Sequence, residues 1–264
     1  MSPPYYRCNS SDCIDYDFTA VSETKFARSH LPLPIWFQAI WYYVNQEKSP
    51  SALDLQKALG LGSNRTALHV MKTLKEAIEA SVRKPLSGSV DLDEFYLNLE
   101  KAAKAGIQVL ILIAVQTGQK SKSSRIRLLR AADASRGRLS EAIGKLVRSG
   151  HEVATDALSA YGDLRSKGYR HTPIRDSADL GDNLLPKPKR VALLLQRWID
   201  LQRRPLSDLK LDYCLSEFVF RFNPHNANPP GTLFQRLLKH AVNNIGKPIQ
   251  DENWAMLREP LTSI

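Results

Sequence analysis

The sequence predicts an α/β fold, a mixed sheet with flanking helices preceded by a small helical region, and three observations carry that expectation. Apolar residues recur at helical spacing from Trp36 to Ile78, the period shortens to two at Val90, and the signals then run strand, strand, strand, helix, strand, helix. Successive strands suit antiparallel pairing, and the later strand, helix, strand passage suits a parallel crossover. The 264 residues allow one large domain or two small ones. With 43% hydrophobic and 24% charged residues, the chain is neither disordered nor fibrous.

Residues 1–30 lack apolar periodicity and hold Cys8 and Cys13. That spacing would suit half a zinc site, but a structural zinc needs a full ligand set, Cys214 is remote in sequence and His30 would have to arrive by folding. Zinc is therefore not expected, and two reduced cysteines are. Pro34 opens a helix at a first-turn position, with Trp36, Phe37, Ile40, Trp41 and Val44 as its core face. Ser49 or Ser51 can cap a second helix, which carries Leu53, Leu55 and Leu59 and ends at Gly60. Ser63 or Asn64 caps a third, with Leu68, Met71, Leu74 and Ile78 on its apolar side. Helix, glycine-bearing turn, helix is the helix-turn-helix pattern, whose second helix can enter a major groove; Asn64, Arg65, Thr66, His69 and Lys72 would then face DNA. A plain helical hairpin with its polar side in water shows the same pattern.

After Pro85 and the Ser87-Gly88 break, Val90 and Leu92 alternate with Asp91 and Asp93 in a first strand. Residues 107–115 form a buried second strand and 125–130 a third. Leu139, Ile143, Leu146 and Val147 mark a helix that stops at Gly150. A fourth strand follows over 151–155, ending in Asp156, and then a helix over 157–167 that ends at Gly168. Past Pro186, helices are expected over 191–201, 206–222 and 233–242, with a turn at 228–231.

Asp93 lies within the first strand and Asp156 at the carboxyl end of the fourth, where open α/β sheets gather their site residues. If those strands are neighbours the carboxylates converge, and converging carboxylates suit Mg²⁺ or Mn²⁺, ions that activate a water or a 3′-hydroxyl against a phosphodiester. An aspartate at a strand end also serves as a turn or helix cap. The chain has no GxxxxGK[ST], GxGxxG or GxSxG, so nucleotide hydrolysis and serine hydrolase chemistry lack support. The histidines are scattered, and His151, His171 and His225 lack the spacing of a zinc pair.

There are 37 Lys and Arg against 27 Asp and Glu, a net +10 that points to a polyanionic partner. Lys120 to Arg148 and Lys187 to Arg204 are the basic runs, the second including Arg190 and Arg197. Runs on both sides of a carboxylate pair suit phosphate contacts, and Trp198 beside Arg197 would give either a stacking surface or a core residue. The longest apolar run, Val109 to Val115, is too short to cross a bilayer, and no secretory signal is visible. No membrane is expected as a partner. The expected location is the cytoplasm, in association with the nucleoid.

Several ordered stretches carry a resemblance: SHLPLPIWFQAIW (29–41), SALDLQKALGLGSNRTALHVM (51–71), LSGSVDLDEFY (86–96), TDALSAYGDL (155–164), KRVALLLQRW (189–198) and SEFVFRFN (216–223). Together they resemble bacterial DDE insertion-sequence transposases of the ISXO type, which join a zinc ribbon and a helix-turn-helix to a ribonuclease-H-like domain. The resemblance implies a remnant zinc-ribbon segment at 1–30, a helix-turn-helix DNA-binding region at 31–84, a ribonuclease-H-like (DDE) domain at 85–223 and a C-terminal helical tail at 224–264. It matches Asp93 and Asp156 to the first two catalytic acids, holding Mg²⁺ or Mn²⁺. In the family the helix of KRVALLLQRW begins with a Glu, Asn or His and carries a Lys further on; here Lys189 and Gln196 stand at those places. A charged lysine cannot ligate Mg²⁺, so the third catalytic residue is expected to be lost unless Asp179 or Asp182 replaces it. The ribbon keeps only Cys8 and Cys13, and the segment between Tyr96 and Ile107 is poorer in glycine and charge than the family's loop. The implied protein is a degenerate transposase, or a catalytically dead DNA-binding protein derived from one. Its expected partners are double-stranded DNA, at terminal inverted repeats, and a second copy in a homodimer.

Overall fold

The computed structural model describes residues 5–7, 17–19, 21–22, 24–27, 29–99, 108–117, 125–156, 161–174, 185–202, 208–223 and 230–243. Cys8, Cys13, Lys120, Lys122, Asp179, Asp182, Arg203, Arg204 and His225 lie outside the described residues. The chain starts with a short antiparallel pair, β1 (Tyr5–Arg7) and β2 (Asp17–Thr19), which the weak periodicity there gave no sign of.

Helix α1 (Leu33–Asn45) has proline in its first turn, where the ring fixes φ and the missing N–H would have had no partner. It buries Trp36, Ala39, Ile40, Tyr43 and Val44. Phe37 and Trp41, expected in the core, stay 40% and 50% exposed and meet Phe234 edge-on, because a helix on the outside of a core buries only one stripe. Helix α2 (Ala52–Leu59) is capped reciprocally: the Ser51 hydroxyl accepts from Asp54 N, and the Asp54 carboxylate accepts from Ser51 N. Gly60 closes it at φ 61, a left-handed position that suits glycine. Ser63, rather than Asn64, caps α3 (Asn64–Ser81) by accepting from Thr66 N at 3.1 Å. Leu53 and Leu68, also expected inside, are 50% and 56% exposed.

The sheet contains β3 (Ser89–Asn98), β4 (Gln108–Thr117), β5 (Ile126–Arg130), β6 (Glu152–Asp156) and β7 (Arg170–Ile174), in the order β5-β4-β3-β6-β7. Strands β3, β4 and β5 run antiparallel, while β6 lies parallel to both β3 and β7. Three antiparallel strands continued by parallel ones form the ribonuclease-H-like arrangement expected. Helix α4 (Arg136–Leu146) makes the crossover into β6 and ends at Leu146, with Val147 already extended, short of Gly150.

The helix expected over 157–167 is corrected. Its described part, 161–168, is a chain of turns in which Leu164 N donates to Tyr161 O and Gly168 N to Arg165 O, at 3.2 and 3.1 Å. Tyr161 and Leu164 are buried three residues apart, which imitates a helical pattern. These turns deliver the chain to β7, a strand the sequence reading missed. At Gly168 φ is 85, a left-handed position that strains any other residue, and a Cβ there would stand 2.8 Å from Ser149 Oγ, which would have to move.

Two cores flank the sheet. On one face Val90, Leu92, Leu112 and Ala114 pack with Leu139, Ile143, Leu146 and Tyr161. On the other, Leu97, Ile111, Ile113 and Val115 share a core with α1, α3, α5 (Pro186–Gln202), α6 (Asp208–Phe222) and α7 (Pro230–Asn243). Burial of β4 on both sides explains its unbroken apolar run. Pro230 and Gly231, placed in a turn by the sequence reading, form the first turn of α7, which packs on α1 and α3. Among the described residues no helix is long and apolar enough to cross a membrane.

Candidate active site

Pairing between β3 and β6 stops at Asp91 and Ala154, although both strands continue, β3 beside β4 to Asn98 and β6 beside β7 to Asp156. Pairing therefore ends two residues before the position at which the parallel register would set Asp93 against Asp156. One carboxylate oxygen from each of Asp93, Glu94 and Asp156 lies within 4.8 Å of the other two. The sequence reading named Asp93 and Asp156 and missed Glu94, since strand alternation sends adjacent side chains to opposite faces. Their oxygens nevertheless meet Asp156 where β3 and β6 are no longer paired.

The surroundings hold these acids in place. Glu94 N donates to Asp93 Oδ1 at 3.0 Å, and the buried Tyr161 hydroxyl donates to Glu94 Oε1. Burial and the Glu94 charge push the Tyr161 phenol far up, so it remains a donor. Thr155 is fully buried; its hydroxyl donates to Asp156 O at 2.6 Å and so accepts from His171 Nε2 at 2.9 Å. This bond places the imidazole proton on Nε2. The sequence reading only discounted His171 as a zinc ligand; it supports the end of β6 from the neighbouring strand.

Burial raises the Asp93 carboxyl above its ordinary value, and the charge of Asp156 adds to it; the Glu94 N–H and the Lys189 ammonium pull the other way. Glu94 is raised by burial first, then by Asp156 and Asp93 against the Tyr161 hydrogen bond. Such a set gains from a cation. Two oxygens on one octahedral Mg²⁺ at 2.0–2.1 Å stand at most about 4.2 Å apart, so small side-chain rotations would bring these donors to one ion. All the donors are hard oxygens, which fits Mg²⁺ or Mn²⁺.

A stability prediction follows from the sign of the shift. A carboxyl whose folded pKa is raised favours folding while protonated, and loses that contribution as pH rises through the folded value. In metal-free buffer Asp93→Asn should thus raise Tm near pH ~7, and the gain should vanish as pH falls toward about 4, the unfolded value. Thermal melts of both proteins across that range check this, and a lower Tm for the variant at neutral pH would contradict the electrostatic account.

Lys189 stands on the exposed side of the first turns of α5, with its charge acting on Asp93. Gln196, further along α5, exchanges hydrogen bonds with the backbone of Asn98 at 2.9 and 3.1 Å and donates to Asp200 at 3.1 Å. It ties α5 to the end of β3 and does not reach the acids. Arg190 and Arg197 are exposed on the same helix. Trp198 is half-buried, packing on Phe218 under the Arg221 guanidinium at the margin of the core. On α3, Arg65, His69 and Lys72 are exposed, Asn64 reaches Gln56 at 3.5 Å, and the Thr66 hydroxyl meets Ser63 Oγ at 2.9 Å.

No curated protein matches the chain. Among solved structures, the catalytic core domain of BIV integrase is similar over 58% of this chain and 97% of its own, at 11% identity and a TM-score of 0.37, too distant a superposition to argue from. The family described as the ISXO2-like transposase domain matches residues 85–223, more than half of the sequence and the whole segment that carries the sheet, the three acids, α5 and α6. The chain belongs to that transposase family.

Proposed function

We propose that the protein binds duplex DNA and cleaves and joins DNA strands by metal-dependent phosphodiester transfer, with an impaired third catalytic position. The observation that carries this reading is the meeting of Asp93, Glu94 and Asp156 beyond the paired part of β3 and β6, inside the segment matched by the transposase family. Bound Mg²⁺ or Mn²⁺ would supply activation of the attacking hydroxyl and stabilisation of the leaving oxygen. Asp93 and Asp156 are the residues to hold it. Tyr161 fixes the carboxylate of Glu94 beside them, and Lys189 sets a positive charge against the incoming ion. A second reading, a DNA-binding protein without catalysis, is favoured by that same Lys189 charge on Asp93.

In this reading the α2 and α3 pair is a helix-turn-helix, with Arg65, His69 and Lys72 toward the groove and Arg190 and Arg197 on phosphates. Terminal inverted repeats are the DNA it would read, as a homodimer. Arg65→Ala should cost about 1–3 kcal/mol on the specific site and relax base preference at one position, whereas a phosphate contact would weaken all sequences alike. Fluorescence anisotropy with duplexes selected from a random pool, across a salt series, measures both. Equal loss on selected and random duplexes would demote α3 to a supporting helix, and absence of any DNA binding would overturn the function proposed.

A further inference from the structure

The backbone of β3 has a free stretch beside the three acids. Gln116 N donates to Arg125 O and Ala131 N to Leu110 O, so the even-numbered residues of β4 turn their peptide groups toward β5. Tyr96 lies opposite Leu110 and Glu94 opposite Leu112. The peptide groups of Glu94, Tyr96 and Asn98 therefore point away from β4, to the side on which β6 has stopped. Side chains close both ends of this stretch. Glu94 N donates to Asp93 Oδ1 at 3.0 Å, and the Gln196 amide takes the N–H and the carbonyl of Asn98, at 3.1 and 2.9 Å. Between them the Glu94 carbonyl and the N–H and carbonyl of Tyr96 have no hydrogen bond among the described residues.

The Tyr96 side chain is free on the same stretch. Alternation puts it on the face of β3 that carries Glu94, about 7 Å further along at ~3.4 Å per residue. Leu110 and Leu112, opposite on β4, are buried, yet Tyr96 is 54% exposed and makes no ring contact or hydrogen bond among the described residues. An exposed aromatic alone needs no explanation. Here it stands beside unpaired peptide groups at the rim of the carboxylate cluster, and together they offer a face to stack on and an edge to bond.

We propose that Tyr96 and the open edge of β3 form a subsite for an unpaired nucleobase of the DNA strand held at the acids. The inference rests on the reading that this site acts on DNA. Other occupants fit the chemistry less well. A phosphodiester brings only acceptors, and the free groups are mostly acceptors themselves. A base inside a duplex has its faces and its pairing edge already used. A peptide strand needs a ladder to pair with, and this stretch is already bounded at Asn98 by the Gln196 amide. An unpaired base brings a π face for the ring, and an edge with donors and acceptors for the Tyr96 N–H and the neighbouring carbonyls. A separation of about 7 Å matches two base steps of ~3.4 Å along a strand, so the stacked base lies within two nucleotides of the phosphate at Asp93, Glu94 and Asp156.

The test uses the full chain in Ca²⁺, whose flexible coordination neutralises the carboxylates without the octahedral geometry that Mg²⁺ demands. The probes are a blunt duplex and the same duplex with a short single-stranded extension, at the 3′ or the 5′ end, carrying the fluorescent adenine analogue 2-aminopurine. The wild type is expected to bind one extended duplex about tenfold tighter than the blunt one (~1.4 kcal/mol), within what one stacked base contributes, and to quench its fluorescence. Tyr96→Phe keeps the ring and should keep both effects. Tyr96→Ala should bring the ratio of affinities to one and restore the fluorescence. Because the ratio is read, a general weakening of DNA binding does not imitate the effect. An undiminished ratio in Tyr96→Ala, loss of the ratio in Tyr96→Phe, or equal binding of blunt and extended duplexes by the wild type overturns the subsite while DNA binding stands. No binding of any duplex by the wild type overturns the subsite and the functional reading together. If thermal melts show that Tyr96→Ala does not fold, Tyr96→Leu, apolar but without a ring, takes its place.

Discussion

Lys189→Glu is expected to tighten Mn²⁺ binding by roughly tenfold or more, about 1.4 kcal/mol, and to raise Mn²⁺-dependent nicking above that of the wild type. In the native sequence the Lys189 charge acts on Asp93 and opposes a divalent ion held there, since like charges near a protein surface repel by an amount that falls with distance (~4 kcal/mol at 4 Å for an effective dielectric near 20). Replacing it with a carboxylate removes that opposition and adds a hard oxygen donor beside Asp93, Glu94 and Asp156. Without metal the variant should be less stable than the wild type, because another anion joins a crowded set; with Mn²⁺ the order should reverse, because an ion that binds only the folded protein raises Tm. Calorimetric titration gives the affinity, and nicking of a supercoiled plasmid gives the activity. Asp93→Ala in the Lys189→Glu background should abolish nicking. Strong nicking by the wild type that Asp93→Ala removes would mean that the third ligand is elsewhere, with Glu94 first to test and Asp179 or Asp182 next. Nicking that survives loss of Asp93 would identify a contaminating nuclease.

The parts of this site that were legible in the sequence are those set by local pattern. Alternation of Val90 and Leu92 with Asp91 and Asp93 placed β3, and the position of Asp156 at the end of its strand placed the second acid, because a strand buried on one face must alternate. Helical periodicity placed α1 to α6 in the same local way, down to the Ser51 and Gly60 caps of α2, but misled over 157–167, where Tyr161 and Leu164 imitate it. Strand β7 was not. It is an edge strand of mixed burial with Pro173 inside it, and pairing on a single side imposes no alternation to read. Glu94 was missed because its approach to Asp156 depends on where β3 and β6 part, which is a property of the assembled sheet. Gln196 stood out only as a departure from the family pattern; its bonds to the Asn98 backbone join residues far apart in the chain.

The largest expected loss of stability comes from a buried pair that the sequence reading passed over, Glu217 and Arg221 of the SEFVFRFN stretch. Glu217 is 2% exposed and accepts from Tyr43 Oη at 2.7 Å, from Ser49 Oγ, and from Arg221 at 2.9 Å. Arg221 also donates to Tyr43 O at 2.9 Å and Val44 O at 3.2 Å, carbonyls of the last turn of α1, and lies over the Trp198 ring at 5.5 Å. Burial and then Glu217 push the Tyr43 phenol well up, so it serves as a donor throughout the accessible pH range. Glu217→Ala would strand a buried guanidinium and a buried phenol, at a cost of about 3–5 kcal/mol, a large share of the 5–15 kcal/mol of an ordinary domain. Glu217→Gln keeps an acceptor of the same shape and should lose less. Arg221→Lys keeps the charge but cannot bridge the carboxylate and the α1 carbonyls at once, so it should fall nearer to alanine than a conservative exchange would suggest. In urea unfolding, Glu217→Ala with Arg221→Ala should cost clearly less than the sum of the single changes, since each alone orphans the other. Additive single losses of under about 1 kcal/mol would show that the pair sits in solvent-screened surroundings and does not fasten α1 to α6.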